Sequence, residues 1–379
     1  MTLSLPIVPV RFCPQKDTLA ILNSKEWIAS YSGGKDSTSV VTWIEWLRRI
    51  GMVKATVKPR LVMSDTEVEY PFLQDISERM ITALKGHGWH CEIVSPRIHE
   101  KLYNRIFGIG NVPVHPGNRK TMRWCTRSTK IDPMNRFAKT IGAEVIQLSG
   151  VRYGESAIRD GKLKVSGCAA GGECGLPPPR DDVHGPIINW KTCQVIEWLN
   201  GEAGEEVNAV IADLLPLMAD LIGVYNVKSS GEGWFGTPPK VTALRFGCIG
   251  CPAITRSRVI AGKDKRWVHL RRIWAMWEQL YKRVNRCCWI KTDAERRGKN
   301  WPDFQSGQIG FGPLKMAVRQ QYFAELLDIQ QQAGITLVTP EDIAFIHRCW
   351  AEKRYPRGWS EADELTMPPE EGLFAEAPG

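Results

Sequence analysis

The sequence predicts an α/β protein with a doubly wound, mostly parallel sheet, followed by a helical C-terminal region. Two observations support this fold class. Short strand-like apolar runs alternate with helical stretches between residues 27 and 148, as in a series of βαβ units. A glycine-rich turn separates the first strand from the first helix, where proteins of this class bind ligands. The 379 residues suffice for one large domain and a second unit.

The alternation can be followed element by element. Strands are predicted at Trp27–Tyr31, Arg60–Ser64, His90–Val94 and Glu144–Leu148, with intervening helices at Thr38–Arg49, Phe72–Lys85 and Thr129–Thr140. Further helices are predicted at Asn189–Leu199, Glu205–Tyr225, Ala261–Arg286, Gly312–Gln332 and Pro340–Lys353. In the third of these, Ala261–Arg286, an aromatic stripe at helical spacing favours core packing over base stacking; its members are Trp267, Leu270, Trp274, Trp277 and Tyr281.

These elements predict four parts of the chain. They are an N-terminal lead (residues 1–24), a sheet domain (25–204, with an insertion at about 161–185), a helical, cysteine-containing region (205–360) and an acidic tail (361–379). The sheet domain carries the glycine-rich turn. The cysteines of a C-x-x-C pair lie in the helical region.

The turn between the first strand and the first helix, Ser32–Ser37, reads SGGKDS. At such a position backbone N–H groups converge, and the positive end of the helix dipole points at a bound anion. The two glycines permit a tight turn and the close approach of a phosphate, while the lysine and the serines add donors. The segment matches neither a Walker A loop nor a dinucleotide fingerprint. It predicts a pyrophosphate site; a plain helix cap by Asp36 or Ser37 is the alternative.

The net charge of +9 is concentrated in two segments. Residues 95–140 contain ten Lys and Arg against two acids, and residues 240–300 contain sixteen against four. Clustered positive charge favours a nucleic-acid partner, because binding releases counterions; a solvated basic surface is the alternative. No run of 18 apolar residues occurs, so no membrane partner is predicted. Residues 1–15 lack a signal-peptide pattern and eleven cysteines are irregularly spaced, which predicts a reduced, cytoplasmic protein.

The cysteines predict a metal centre. Cys248 and Cys251 form a C-x-x-C pair, and Cys125 lies at the end of the basic loop Arg97–Arg127. Dispersed cysteine-only ligation suits an iron–sulfur cluster. One zinc site or ordinary buried thiols are the alternatives. Further cysteines stand in the glycine-rich insertion and after the long predicted helix, namely Cys168, Cys174, Cys287 and Cys288.

Taken together, the motifs resemble the ATP pyrophosphatase (PP-loop) superfamily and, within it, proteins similar to phosphoadenylylsulfate (PAPS) reductase. The matching segments, in order, are Ser32–Ser37, Asp65–Pro71, Arg123–Thr126, Gly150–Ser156 and Pro186–Trp190. Two later features resemble the narrower group of DndC- and SspD-type DNA phosphorothioation proteins. They are RFGCIGC at Arg245–Cys251 and Gly312–Leu314 with Arg319.

The resemblance implies an adenine nucleotide α-hydrolase-like fold and an ATP pyrophosphatase that binds Mg²⁺ and a [4Fe-4S] cluster. It implies an ATP site formed by Ser32, Gly33, Gly34, Lys35, Asp36, Ser37, Asp65, Arg152, Glu155 and Ser156, in which Lys35, Asp65 and Arg152 are catalytic. The implied cluster ligands are Cys125, Cys248, Cys251 and Cys288, with Cys287 or an open iron as alternatives for the fourth position.

The resemblance also implies partners. Sulfur would replace a phosphate oxygen of DNA in an antiphage defence system, with a cysteine desulfurase as sulfur donor and other phosphorothioation subunits as partners. Basic residues of Arg97–Lys130 and Ala261–Arg286 would hold the DNA backbone.

Three alternatives remain open: a PAPS reductase of sulfate assimilation, a tRNA thiolation enzyme and a DNA-bound ATP sensor. The C-terminal ECG[LI]H cysteine of PAPS reductases is absent; Glu173–Leu176 matches it only in part and lies mid-chain.

Overall fold

A parallel five-stranded sheet forms the centre of the computed structural model, which describes residues 9–24, 26–114, 124–142, 145–153, 183–225, 248–253, 265–290 and 309–364. The strands are β1 (Trp27–Tyr31), β2 (Arg60–Ser64), β3 (His90–Val94), β4 (Ile146–Leu148) and β5 (Val183–His184). Their order is β3-β2-β1-β4-β5, and every neighbouring pair is parallel. The predicted α/β fold is therefore confirmed. The strand order reverses direction at β1, which makes the carboxyl ends of β1 and β4 the topological switch point of the sheet.

Helices alternate with these strands. They are α1 (Lys16–Ser24), α2 (Lys35–Arg49), α3 (Pro71–Gly86), α4 (Trp124–Thr126), α5 (Asp132–Ile141), α6 (Thr192–Leu199), α7 (Glu205–Val210) and α8 (Leu215–Tyr225). Single 3₁₀ turns lie at Val10–Phe12 and Ile98–Glu100, and π-helical turns at Asn104–Ile109 and Arg127–Ile131.

The sheet is buried on both faces, as expected for parallel strands covered by helices. Trp27, Ala29 and Tyr31 of β1 face one core, which is rich in tryptophan from α2 and α6. Ile28 faces a second core, against Phe137 and its neighbours on α5. This alternation follows from the two-residue period of a strand.

The C-terminal part combines helices with a small sheet. It contains α9 (Arg271–Tyr281), β6 (Arg286–Ile290), β7 (Ile309–Leu314), α10 (Met316–Ala333) and α11 (Pro340–Ala351), with 3₁₀ turns at Lys265–Leu270, Arg283–Asn285 and Glu361–Glu364. Strands β6 and β7 pair in antiparallel fashion. For residues 265, 266, 288–290 and 309–311, the backbone alone is described.

Two helix predictions in this part need correction. The predicted helix Ala261–Arg286 contains an α-helix only at Arg271–Tyr281, because Lys282 has an extended ψ of 138° that ends it. The predicted helix Gly312–Gln332 begins at Met316, since Gly312–Leu314 belong to β7. The aromatic stripe is largely core as predicted: Trp267 and Trp277 are buried.

The chain divides into two compact units. Unit 1 comprises Met1–Asp65, Glu69–Val94 and Pro133–Phe246, and unit 2 comprises Thr66–Val68, Ser95–Asp132 and Gly247–Gly379. This division differs from the predicted boundary between residues 204 and 205. The reason is that Met218 and Ile222 of α8 pack into the same core as Trp198 of α6. Within the described ranges, no helix combines the length and the apolar character needed to cross a bilayer.

Candidate functional site

The turn Ser32–Ser37 lies at the switch point of the sheet in unit 1 and joins β1 to α2. Gly33 has a φ of +66°, and a Cβ at this position would lie 2.0 Å from Ser77 Oγ. Gly34 has an ordinary φ of −88° and forms the N-cap of α2. The turn therefore requires glycine at position 33 for its backbone, whereas position 34 requires it only if a ligand approaches closely.

Two serine hydroxyls close this turn. Ser37 Oγ accepts a hydrogen bond from the Ser32 backbone N–H at 3.2 Å and donates one to the Gly34 carbonyl at 3.0 Å. The Oγ atoms of Ser32 and Ser37 lie 3.0 Å apart. Ser37 is buried, and Ser32 is exposed. The hydroxyls thus hold the turn in shape at the first turn of α2, where the helix dipole favours an anion.

A buried ion group supports the turn from within unit 1. Asp36 Oδ2 lies 2.5 Å from Lys35 Nζ, and Asp36 Oδ1 accepts a 2.6 Å hydrogen bond from Arg152 Nε. Burial alone would raise the pKa of Asp36, but the charges of Lys35 and Arg152 and their hydrogen bonds hold it below its usual value. Asp36 is therefore an ionised carboxylate between two cations.

Arg152 is 1% exposed, and it is anchored on a second side by the segment after β5. Its Nη1 donates to the Trp190 carbonyl at 3.0 Å and to Thr192 Oγ1 at 3.4 Å. The sequence predicts that Arg152 neutralises phosphate charge. The contacts above add a structural role, because Arg152 also fixes the turn Ser32–Ser37 through Asp36.

Gly150 brings the end of β4 against the same turn. A Cβ at Gly150 would lie 2.9 Å from the Ser37 backbone nitrogen and 3.0 Å from the Asp36 carbonyl carbon. This backbone-to-backbone approach leaves no space for a side chain. The sequence shows Gly150 only as part of a motif and does not reveal this steric requirement.

Tyr225, at the end of α8, is a site residue that the sequence analysis missed. Its hydroxyl accepts a 3.4 Å hydrogen bond from the Lys35 backbone N–H, and its ring packs with Ile76 and Leu221. Burial raises the pKa of Tyr225 to about 12, so the hydroxyl is neutral at physiological pH. A contact across 190 positions leaves no signal in a single sequence.

Asp65 directly follows β2, which pairs in parallel with β1. Its backbone N–H donates to the Val94 carbonyl at 2.9 Å, at the end of β3. Carboxyl ends of parallel strands share one edge of a sheet, so Asp65 lies on the same edge as the turn Ser32–Ser37. Its half-buried carboxyl group is the type of ligand that Mg²⁺ prefers. Glu155 and Ser156, also predicted for this site, lie outside the described residues.

The C-x-x-C pair of unit 2 forms a tight turn, here called the cysteine turn (residues 248–251). The Cys251 backbone N–H donates to the Cys248 carbonyl at 3.0 Å. Gly250 has a φ of +62°, and a Cβ there would lie 2.6 Å from Ile273 Cγ2 of α9. Cys248 Sγ lies 3.9 Å from Thr66 Oγ1. Both thiols of this turn are half-buried.

Cys125 belongs to unit 2 as well. Its carbonyl accepts a 2.9 Å hydrogen bond from Thr129 Oγ1. Arg105 lies over the adjacent Trp124 ring at 4.8 Å; burial lowers the pKa of Arg105, and the nearby Cys125 acts in the opposite sense. Burial, with the nearby Cys251 and Cys125 thiols, raises the pKa of Tyr281 above its usual value. Both cysteines thus influence the electrostatic environment of the same tyrosine.

The remaining described cysteines have different surroundings. Cys91, Cys287 and Cys349 are buried, and burial raises the pKa of Cys91 to about 11 and that of Cys287 to about 12. Without a bound metal, such thiols stay protonated. For Cys288 the backbone in β6 is described but the side chain is not. In the described ranges, no three His, Cys, Asp or Glu side chains are grouped to hold a single metal ion.

Comparisons with known proteins give structural neighbours only. No protein-family model and no curated protein matches the chain. Among solved structures, it is similar to a phosphoadenylyl-sulfate (PAPS) reductase from Candida auris in its phosphate complex, with 14% identity over 51% of this chain and 81% of that one and a TM-score of 0.31. It is also similar to the U34-tRNA thiolase NcsA from Methanococcus maripaludis with its [4Fe-4S] cluster, with 13% identity over 65% and 86% of the two chains and a TM-score of 0.31.

Proposed function

We propose that this chain is an ATP pyrophosphatase that couples cleavage between the α- and β-phosphates of ATP to sulfur transfer onto a DNA phosphate. The observation that carries the proposal is the glycine turn at the sheet switch point. There, the start of α2, Lys35 and two serine hydroxyls surround one backbone turn. This combination is suited to a pyrophosphate group, because it offers backbone donors and a cation on a rigid element.

In the proposed reaction, an oxygen of the DNA phosphate attacks the α-phosphorus of ATP, and pyrophosphate leaves. The bond between the DNA phosphorus and that oxygen then breaks when a sulfur nucleophile attacks the phosphorus, and AMP departs with the oxygen. The protein's part is to align the two phosphates and to stabilise the charge on the leaving group.

The residues of unit 1 have separate parts in this step. Lys35 moves from Asp36 to the pyrophosphate, where its ammonium group stabilises the negative charge that develops. Asp36 and Arg152 keep the turn in place by their 2.6 Å contact. Asp65 would hold Mg²⁺, which supplies charge neutralisation at the phosphates. Glu155 and Ser156 would help to position Arg152.

The donor set of unit 2 fits a [4Fe-4S] cluster. Cys248 and Cys251 are half-buried thiols on one turn of unit 2, which also contains the half-buried Cys125. Cysteine ligation is typical of such a cluster. When bound, the cluster would supply an iron that carries sulfide. Cys288 is proposed as the fourth ligand.

DNA is the proposed acceptor on the basis of sequence features. The two basic segments favour a nucleic acid, and the RFGCIGC and Gly312–Leu314 motifs resemble the DNA phosphorothioation group. A cysteine desulfurase would deliver sulfur as a persulfide, which a thiol reductant would reduce to sulfide with formation of a disulfide, and other phosphorothioation subunits would be partners.

The test measures products. Anaerobically purified protein, with Mg²⁺ and ATP, is incubated with duplex DNA, with tRNA or with no acceptor, and pyrophosphate, AMP and orthophosphate are quantified. We expect pyrophosphate, with the largest rate on DNA, and AMP in an equal amount only when a source of sulfide is also present. Lys35→Gln should lower that rate by about 100-fold or more, because it removes a charge aimed at the leaving group. Lys54→Gln, at an exposed position of unit 1, is the matched control.

Orthophosphate as the sole product would contradict cleavage between the α- and β-phosphates. A larger rate on tRNA than on DNA would contradict the proposed acceptor and favour tRNA thiolation. Mass spectrometry of nuclease-digested DNA for phosphorothioate-linked dinucleotides, after addition of a cysteine desulfurase, cysteine and a thiol reductant, checks the second half of the reaction.

A further inference from the structure

Helix α9 presents two polar aromatic side chains, one helical turn apart, to the cysteine turn. Trp277 Nε1–H donates a 2.7 Å hydrogen bond to the Gly250 carbonyl. The Tyr281 hydroxyl lies 3.3 Å from the Pro252 carbonyl and 2.9 Å from the Val114 carbonyl. Gly250 and Pro252 are the residues immediately before and after Cys251. The single O–H of Tyr281 is shared between the Val114 and Pro252 carbonyls. Side chains of one helix therefore contact the backbone on both sides of Cys251.

The opposite side of the turn is also fixed. The Ile249 backbone N–H donates to the Val68 carbonyl at 2.6 Å, and the Ile249 carbonyl accepts a 3.4 Å hydrogen bond from the Tyr103 hydroxyl. The Trp277 ring stacks near the Tyr103 ring, with centroids 6.3 Å apart. Tyr103 and Trp277, which both donate hydrogen bonds to the cysteine turn, thus also pack against each other.

Core packing alone does not account for these two side chains. A buried position on α9 needs only an apolar side chain, as Ile273 and Leu280 show. An indole N–H and a phenol O–H must each find a partner when they are buried, but that partner could be any polar group. In this structure, Trp277 donates to the Gly250 carbonyl and Tyr281 lies 3.3 Å from the Pro252 carbonyl. Both carbonyls belong to residues adjacent to Cys251.

We propose that Trp277 and Tyr281 are positioning residues for Cys251, which they hold in the orientation of a metal ligand. The inference rests on the proposed role of Cys251 as a cluster ligand. Some groups outside the coordination sphere orient a metal ligand, and their removal typically lowers the metal affinity 10–100-fold. The hydroxyl of Tyr281, 3.3 Å from the carbonyl of the residue that follows Cys251, supports this assignment.

The test compares variants of the full-length protein that lose one donor each. Trp277→Phe removes the hydrogen bond to the Gly250 carbonyl, and Tyr281→Phe removes the hydroxyl that the Val114 and Pro252 carbonyls share. Trp350→Phe and Tyr355→Phe are matched controls in unit 2, because Trp350 Nε1 donates to the Phe107 carbonyl at 2.8 Å and the Tyr355 hydroxyl lies 2.5 Å from a Glu364 carboxylate oxygen. Tyr281→Phe retains the ring, so it alone decides the result if Trp277→Phe does not fold.

Two readouts are used under anaerobic conditions. The first is the rate at which reconstituted protein loses iron to a chelator. The second is the affinity of metal-free protein for Cd²⁺, a soft cation that thiolates bind tightly, followed by thiolate absorption in the ultraviolet. We expect Trp277→Phe and Tyr281→Phe to lose iron about tenfold faster or more and to bind Cd²⁺ about tenfold more weakly or worse, while both controls match the wild type.

The outcomes separate this inference from the proposed function. If wild-type protein takes up no iron but the two variants still weaken Cd²⁺ binding selectively, the cluster proposal fails and the positioning role stands. If iron is bound and all four variants behave alike, the positioning role is overturned and the cluster stands. Failure of wild-type protein to bind either metal overturns both.

Discussion

The glycine turn of unit 1 (Ser32–Ser37) and the cysteine turn of unit 2 (residues 248–251) each keep a fixed backbone shape, but different interactions hold them. Each has a glycine at positive φ, Gly33 at +66° and Gly250 at +62°. The first is held by an ionised carboxylate between two cations, and the second by neutral N–H and O–H donors that meet backbone carbonyls. Buried charges are costly to leave unpaired, whereas neutral hydrogen bonds contribute modestly. The glycine turn should therefore be the more sensitive to loss of a single partner.

The largest effect is expected from Asp36→Asn. This change leaves Arg152, which is 1% exposed, without its carboxylate partner. Breaking a buried pair in this way typically costs about 3–5 kcal/mol. Denaturant unfolding at neutral pH measures the loss, with Asp75→Asn as the control, because Asp75 pairs with Arg79 on the surface.

The pH dependence of the free energy of unfolding provides a second test of the role of Asp36. The folded-state pKa of Asp36 lies below its usual value, so its stabilisation is present above the unfolded value of about 3.9 and is lost as pH falls through the folded value. Asp36→Asn should abolish that part of the acid sensitivity. A cost below about 1 kcal/mol at neutral pH would show that the ion group does not hold the turn.

An intermediate effect is expected from alanine at the two glycines. Both replacements incur about 1–2 kcal/mol for the left-handed backbone. At Gly250 the new Cβ meets Ile273 Cγ2, which belongs to a β-branched side chain in a helix and moves little. At Gly33 it meets the Ser77 hydroxyl, which can rotate away at the loss of a hydrogen bond.

Gly250→Ala should therefore destabilise the protein more than Gly33→Ala, although its contact distance is longer, 2.6 Å against 2.0 Å. Gly34→Ala serves as the reference, because its φ is ordinary and its nearest neighbour would be 3.6 Å away. We expect it to change the free energy of unfolding by less than about 0.5 kcal/mol. Thermal unfolding of the three variants ranks them, and the reverse order of Gly250 and Gly33 would refute the steric argument.

Part of this comparison could be read from the sequence. The alternation of strands and helices predicted four of the five sheet strands, and the SGGKDS turn was placed correctly between β1 and α2. Local pattern suffices there because strand, turn and helix are contiguous. Gly312–Leu314 of the strand Ile309–Leu314 were instead predicted as the start of a helix, since pairing with Arg286–Ile290 is a contact between distant segments that single-sequence periodicity does not show.

The candidate site shows the same limit. The residues within motifs, such as Lys35 and Cys251, were found because they are adjacent to other motif residues. The residues that hold those motifs in place, Tyr225, Trp277 and Tyr281, stand far away in sequence and look like ordinary core aromatics. Their function depends on which carbonyl or N–H they meet, and only the fold decides that.

The smallest effect is expected from Asp213→Asn, which tests whether burial or charge gives the Asp36 group its importance. Asp213 accepts hydrogen bonds from Arg49 at 2.6 and 3.1 Å, and lies 2.6 Å from His87 Nε2, yet its side chain is 45% exposed. The Arg49 hydrogen bonds lower the pKa of Asp213 to about 2. Because solvent screens exposed pairs, we expect a loss below about 1 kcal/mol at neutral pH. The difference from wild type should fade as pH falls from about 4 towards about 2, where the wild-type carboxylate is protonated. Denaturant unfolding across this pH range measures it, and a loss as large as that of Asp36→Asn would mean that the number of charged partners, rather than their burial, sets the cost.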